Sequence, residues 1–139
     1  MNAVEYLNQV KMCDTKIKNK MLEKEQWFTS ATKTTCPTDG ERVQSSGNPD
    51  KMSDAVTRMI EVDKEIDEMI DSFVDLKQEV IRTIEKVDEP ILYDVLHKIY
   101  IQYMKPSEVA DALNYSYQWI NELHNRAIGK VQSIIDITL

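Results

Sequence analysis

The sequence predicts an all-α protein: a long antiparallel, coiled-coil-like helical hairpin followed by a C-terminal three-helix helix-turn-helix domain. Three observations carry this. Only 3 Gly and 4 Pro occur in 139 residues, too few turn formers for a sheet-rich chain. Apolar residues recur at steps of three and four through two long stretches. Residues 105–120 then place helix starts and a turn at the spacing of two short helices. The expected domains are residues 1–87, with a loop at about 35–52, and residues 88–139.

The totals bound the reading. The chain has a mass of 16.2 kDa, 42% hydrophobic and 29% charged residues, which suits packed rather than disordered chain. The net charge of −7 argues against indiscriminate nucleic-acid binding. That charge is uneven: residues 54–90 carry 12 acids and 5 bases, residues 1–34 carry 4 acids and 6 bases, and residues 91–139 carry 5 acids and 4 bases. Cys13 and Cys36 stand outside any CxxC or Cys/His cluster, so two free thiols and no structural zinc are expected. No signal peptide and no apolar run of membrane-spanning length is read, so the expected location is cytoplasmic.

The first helix is predicted over residues 2–34. Its stripe is Val4, Leu7, Val10, Cys13, Ile17, Met21 and Phe28, and Asn2 with Glu5 forms a capping pair. Residues 35–52 gather Pro37, Gly40, Gly47, Asn48 and Pro49 without periodicity and read as a mobile loop. Ser53 is the expected cap of a second long helix reaching Val87. Its stripe runs through Met59, Val62, Ile66, Ile70 or Met69, Phe73, Leu76, Val80, Ile84 and Val87, a coiled-coil seam. Two stripes of matched length imply the hairpin. So little buried surface implies packing on the C-terminal helices or self-association. Asp88-Glu89-Pro90 ends the second helix and starts a third, whose apolar face is Leu92, Val95, Leu96, Ile99, Tyr100 and Tyr103.

Pro106 and Glu108 then open a short helix whose inward residues are Val109, Ala110 and Leu113. Asn114 stands where a tight turn calls for a left-handed backbone, and Ser116 caps the last helix. Ile120, Leu123, Ala127 and Val131 are that helix's buried stripe. Trp119 has two readings: it packs against Tyr100 or Tyr103, or it faces outward.

Residues 96–131 resemble region 4 of bacterial sigma factors. The resemblance is carried by Tyr100, Glu108-Val109-Ala110, Leu113, Ser116, Ile120 and the ending from His124 to Val131. The whole layout resembles small phage and prophage proteins of Gram-positive bacteria grouped near the ArpU and RinA regulators of late transcription. Members of that group often carry a longer basic run in the last helix, where this chain has Arg126 and Lys130. The resemblance implies a sequence-specific DNA-binding transcription regulator with double-stranded DNA as partner, and raises RNA polymerase as a second one. It assigns base reading to Tyr117, Gln118, Asn121 and Glu122, and phosphate contacts to Lys105, Ser116, Arg126 and Lys130.

Other functional classes find little support. His97 and His124 have no nucleophile or carboxylate pattern around them, and the acids at 63, 65, 67, 68 and 71 lack the spacing of a calcium loop. No enzyme, cofactor or metal site is expected, and no membrane association. The expected assembly is a homo-oligomer. Two alternatives share the same parts: a phage small terminase-like DNA recognition subunit, and a protein-interaction module whose helix-turn-helix has lost DNA binding.

Overall fold

The computed structural model describes residues 1–35 and 49–138, with side chains for residues 1–32 and 53–138. Every regular element among them is helical: α1 Ala3–Thr35, α2 Pro49–Glu85, α3 Pro90–Leu96, α4 Pro106–Leu113 and α5 Tyr117–Thr138. A π-helical turn, His97–Ile101, extends α3. No described helix is long and apolar enough to cross a membrane.

Local chemistry starts the helices where the sequence says it should. Asn2 Oδ1 accepts the Glu5 N–H at 2.9 Å and Glu5 returns a carboxylate to the Asn2 N–H at 3.4 Å, a reciprocal cap on α1. Pro90 begins α3. The second helix departs from expectation: α2 begins at Pro49, so Ser53 lies inside it and caps nothing. Proline at the first helical position, followed by Asp50, is itself a start signal, and it acts one turn earlier than the serine. Most of the expected loop, with Cys36, lies outside the described residues.

The chain forms two compact units. The first comprises Met1–Asp14 and Phe73–Leu139, so the boundary expected at residue 87 falls inside it. The reason is packing. Ala3, Leu7 and Val10 of α1 and Val80, Ile84 and Val87 of α2 join Leu92, Val95, Leu96, Tyr100, Ile120, Leu123, Ala127 and Val131 in one buried cluster. Polar contacts fasten the same ends. Gln132 Oε1 accepts the Ala3 N–H at 2.8 Å, satisfying an amide that the first turn of α1 leaves without a partner. The Tyr6 hydroxyl bonds to Thr83 Oγ1 at 3.0 Å, while Thr83 donates to the Glu79 carbonyl.

The second unit, Thr15–Ser72, contains the remaining lengths of α1 and α2. Ile17, Ala55, Val62 and Ile66 are its buried apolar side chains among those described. Lys20 pairs with Glu65 at 2.9 Å, Lys24 with Asp63 at 2.7 Å and Arg58 with Glu23 at 3.1 Å. Partners fall in α2 as they rise in α1, from 20–65 to 24–63, which is an antiparallel course. The apolar stripe read for α1 needs correction in this stretch. Met21 and Phe28 sit on the seven-residue repeat of Leu7, yet both are exposed, as is Val4 nearer the start.

Candidate nucleic-acid interface

Between Leu96 and α5 the backbone makes two left-handed turns at residues other than glycine. The π-helical turn is followed by Tyr103, whose φ is 60°, with the Met104 N–H reaching back to the Lys98 carbonyl at 2.9 Å. Tyr103 gave no sequence signal for this. A bulky aromatic is an unfavourable residue there, and tertiary packing against the buried cluster holds it. Burial, reinforced by the carboxylate of Asp14, pushes its hydroxyl up to about 12.

The second left-handed residue is Asn114, at φ 60° and ψ 41°. The Tyr115 N–H bonds to the Ala110 carbonyl at 3.0 Å and the Asn114 N–H to the Asp111 carbonyl at 3.4 Å. This is the paired closure that ends a helix when its next residue turns left-handed, and Asn tolerates the turn. Glu108 accepts the Lys105 N–H at 2.9 Å at the start of α4, and Ser116 Oγ accepts the Trp119 N–H at 3.1 Å at the start of α5. An eight-residue helix, a three-residue turn and a capped helix of about 33 Å therefore follow from Pro106, Asn114 and Ser116.

Packing fixes which side of α5 faces out. Ile120, Leu123, Ala127, Val131 and Ile135 are buried. Beneath them His124 Nε2 meets the Tyr100 hydroxyl at 2.6 Å, their rings stacked at 5.7 Å. Burial holds His124 below its ordinary value, against a hydrogen bond with the Asn125 side chain that raises it. Burial also pushes Tyr100 up to about 12. Both groups are favoured neutral, and one hydrogen bond joins the phenol oxygen to the imidazole nitrogen.

Of the residues expected to read bases, Tyr117, Gln118 and Glu122 are exposed and Asn121 is half-exposed. Gln118, Glu122, Asn125 and Gly129 succeed one another at steps of four, three and four, the centre line of the outer face. Asn125 and Gly129 were missed by the sequence reading. The signal that finds them is the helical angle opposite Ile120, Leu123 and Ala127. Beyond the helix's own backbone and its two chain neighbours, no described residue comes within 4 Å of where a Cβ on Gly129 would stand.

Trp119 does not pack on Tyr100 or Tyr103. It is partly exposed, with the Arg126 guanidinium 5.3 Å from its ring centroid. Tyr100 is taken by His124 instead, and Trp119 falls on the flank of α5. Arg126 also approaches Glu122 at 3.8 Å, and Lys130 pairs with Glu89 at 3.1 Å. Two of the expected phosphate contacts thus already have carboxylate partners, though exposed pairs of this kind are generally worth at most about 1 kcal/mol. Lys105 is exposed at the start of α4, and the Ser116 hydroxyl is engaged as the cap of α5. Lys86, Arg126 and Lys130 line one open groove of about 550 Å³ with Asp88 and Glu89. Among the described side chains no cluster of three or more His, Cys, Asp or Glu could hold a metal ion.

No curated protein and no solved structure matches the chain. A family model matches residues 33–132, which take in α2, α3, α4 and most of α5. The chain therefore belongs to the family described as protein of unknown function DUF1492.

Proposed function

We propose that the chain is a DNA-binding transcription regulator that lays the outer face of α5 in the major groove of double-stranded DNA. The observation that carries this reading is the unit formed by α4, the Asn114 turn and α5. One side of α5 is committed to the core and the other offers Gln118, Asn121, Glu122 and Asn125. Amides pair bidentately with adenine and a carboxylate accepts from cytosine, so this row can discriminate bases. Tyr117 adds an exposed aromatic ring at the start of the row. The resemblance of residues 96–131 to sigma region 4 supports the same assignment. It brings with it RNA polymerase as a second partner, a phage or prophage origin and a cytoplasmic setting.

A second reading has its own observation. Arg126 and Lys130 are both paired with carboxylates, and Glu122 adds negative charge to the outer face. Such a face suits a protein partner, as in an interaction module. A small terminase-like subunit would use the same DNA contacts within a large ring.

Selection of a binding site from random duplexes, followed by titration at two salt concentrations with and without RNA polymerase, separates DNA binding from the interaction module. Regulation expects one preferred sequence. Asn121→Ala relaxes one base position by about 1–3 kcal/mol without loss of helicity. Arg126→Ala or Lys130→Ala weakens binding to all sequences and flattens the salt dependence. No preferred sequence under any condition sinks the DNA reading in favour of the interaction module.

A further inference from the structure

A lysine from outside the helix-turn-helix stands on one flank of α5. Lys86 is the first residue after α2, and the backbone on both sides of it is held. Its N–H bonds to the Thr83 carbonyl at 3.2 Å. The next residue, Val87, is buried, with its N–H on the Ile84 carbonyl at 3.0 Å. The Lys86 side chain is exposed and lines the open groove of about 550 Å³ with Asp88, Glu89, Arg126, Gly129 and Lys130. All of these residues belong to the unit of Met1–Asp14 and Phe73–Leu139. Lys86 also lies before residue 96, where the resemblance to sigma region 4 begins.

The charges of the groove do not cancel. Arg126 faces Glu122 and Lys130 faces Glu89, whereas Lys86 is in no ion pair among the described residues. Arg126 and Lys130 are one turn apart and so share a flank of α5, and Gly129 beside them is on the outer centre line. A helix with its side chains is about 10–12 Å across, which fills the width of a major groove. When such a helix is seated there, its flanks meet the phosphates of the two strands. The flank that carries Arg126 and Lys130 is the one Lys86 stands beside, and the groove between them is open. An anion that remains part of a longer chain can therefore enter it.

We propose that Lys86 binds a backbone phosphate of the DNA strand that runs along the Arg126 flank of α5. This rests on the DNA reading and adds to it a contact from α2's end. The full chain is titrated with its selected duplex across a range of salt concentrations. Lys86→Gln makes the slope of log affinity against log salt shallower by about 0.9, the loss of one phosphate contact. The preferred sequence stays the same, since a phosphate carries no base information. Helical ellipticity is unchanged, because the side chain is exposed. Arg82→Gln removes a cation one turn earlier on α2 that does not line this groove, and it keeps the parent slope. Methylphosphonates placed singly along each strand then locate the contact. One position weakens binding by the parent and has no further effect on Lys86→Gln. Equal slopes for parent and Lys86→Gln, equal losses for Lys86→Gln and Arg82→Gln, or the same methylphosphonate profile in parent and variant overturn the assignment and leave the DNA reading standing. A parent that prefers no duplex overturns both.

Discussion

The two compact units are built from lengths of the same two helices, yet they are stabilised differently. In the unit of Met1–Asp14 and Phe73–Leu139, the helix ends bury Leu7, Val10, Val80 and Ile84 completely, together with Leu92, Val95, Leu96, Ile120 and Val131. In the unit of Thr15–Ser72, Val62 is completely buried and Ile17, Ala55 and Ile66 nearly so, while charged pairs run along the contact. The difference teaches that a coiled-coil stripe in the sequence specifies a face but not its partner. The same periodicity is deeply covered where α3 and α5 share the unit, and covered along a narrower line where, among the described residues, two helices do.

Substitutions at buried apolar positions should show the largest contrast. Leu92→Ala in the larger core should cost about 2–5 kcal/mol, the usual transfer term plus an unfilled cavity. Ile66→Ala should fall at the low end, about 2 kcal/mol, since half-covered neighbours can close around it. Urea denaturation followed by ellipticity measures both. Equal losses would break the comparison and imply that the two-helix unit is covered more fully than its exposed residues indicate.

The turn between α4 and α5 comes next. Asn114→Ala keeps the Cβ in the left-handed region but removes the polar side chain that eases it there, and should cost at most about 1–2 kcal/mol. Asn114→Gly should be neutral or slightly stabilising, because glycine adopts this conformation without strain. The same change at Asp63, on a regular stretch of α2, should favour Ala over Gly. The reversed order at Asn114 confines the effect to backbone geometry.

Legibility of the sequence divides along the same physical line. Asn2, Pro90, Pro106, Asn114 and Ser116 act through their own backbone and a residue three or four away, so spacing alone revealed them. Pro49 acts in the same way but stood within a run of turn formers, where Ser53 was the more familiar cap. The all-α class was legible from periodicity. The left-handed turn at Tyr103, the joining of Ala3 to Gln132 and the seat of Trp119 beside Arg126 depend on distant chain. No local pattern encodes them. The outer face of α5 was legible as a helical angle at Tyr117, Gln118, Asn121 and Glu122. The carboxylate partners of Arg126 and Lys130 differ in this respect: Glu122 lies one turn away on the same helix, whereas Glu89 comes from the segment before α3.

A smaller effect, spread over pH, should arise from His124. Its folded value lies below 6.5 because burial disfavours the cation, so the unfolded chain binds the proton more readily. The stability this contributes is present above pH 6.5 and is lost as pH falls from there through the lower folded value. His124→Gln keeps a polar group near the Tyr100 hydroxyl and removes the titration. Thermal melts between pH 7.5 and 5 should therefore drop less steeply in the variant. Identical slopes would place the acid-sensitive group elsewhere.

The smallest effect on stability is also the most informative about the outer face of α5. Gly129 lies inside a helix of 22 residues, where glycine costs about 0.5–1 kcal/mol relative to alanine. Nothing among the described residues requires it, since a Cβ there meets open space. Gly129→Ala should therefore raise the denaturation midpoint slightly. The position continues the line of Gln118, Glu122 and Asn125, and a bare backbone there admits the closest approach of another molecule. If α5 is seated in a groove, the more stable variant should bind its selected duplex more weakly, the two effects having opposite signs. Stability and affinity rising together would mean that Gly129 is merely a tolerated imperfection. The outer face would then end at Asn125, and the contact surface would be limited to the first two turns and a half of α5.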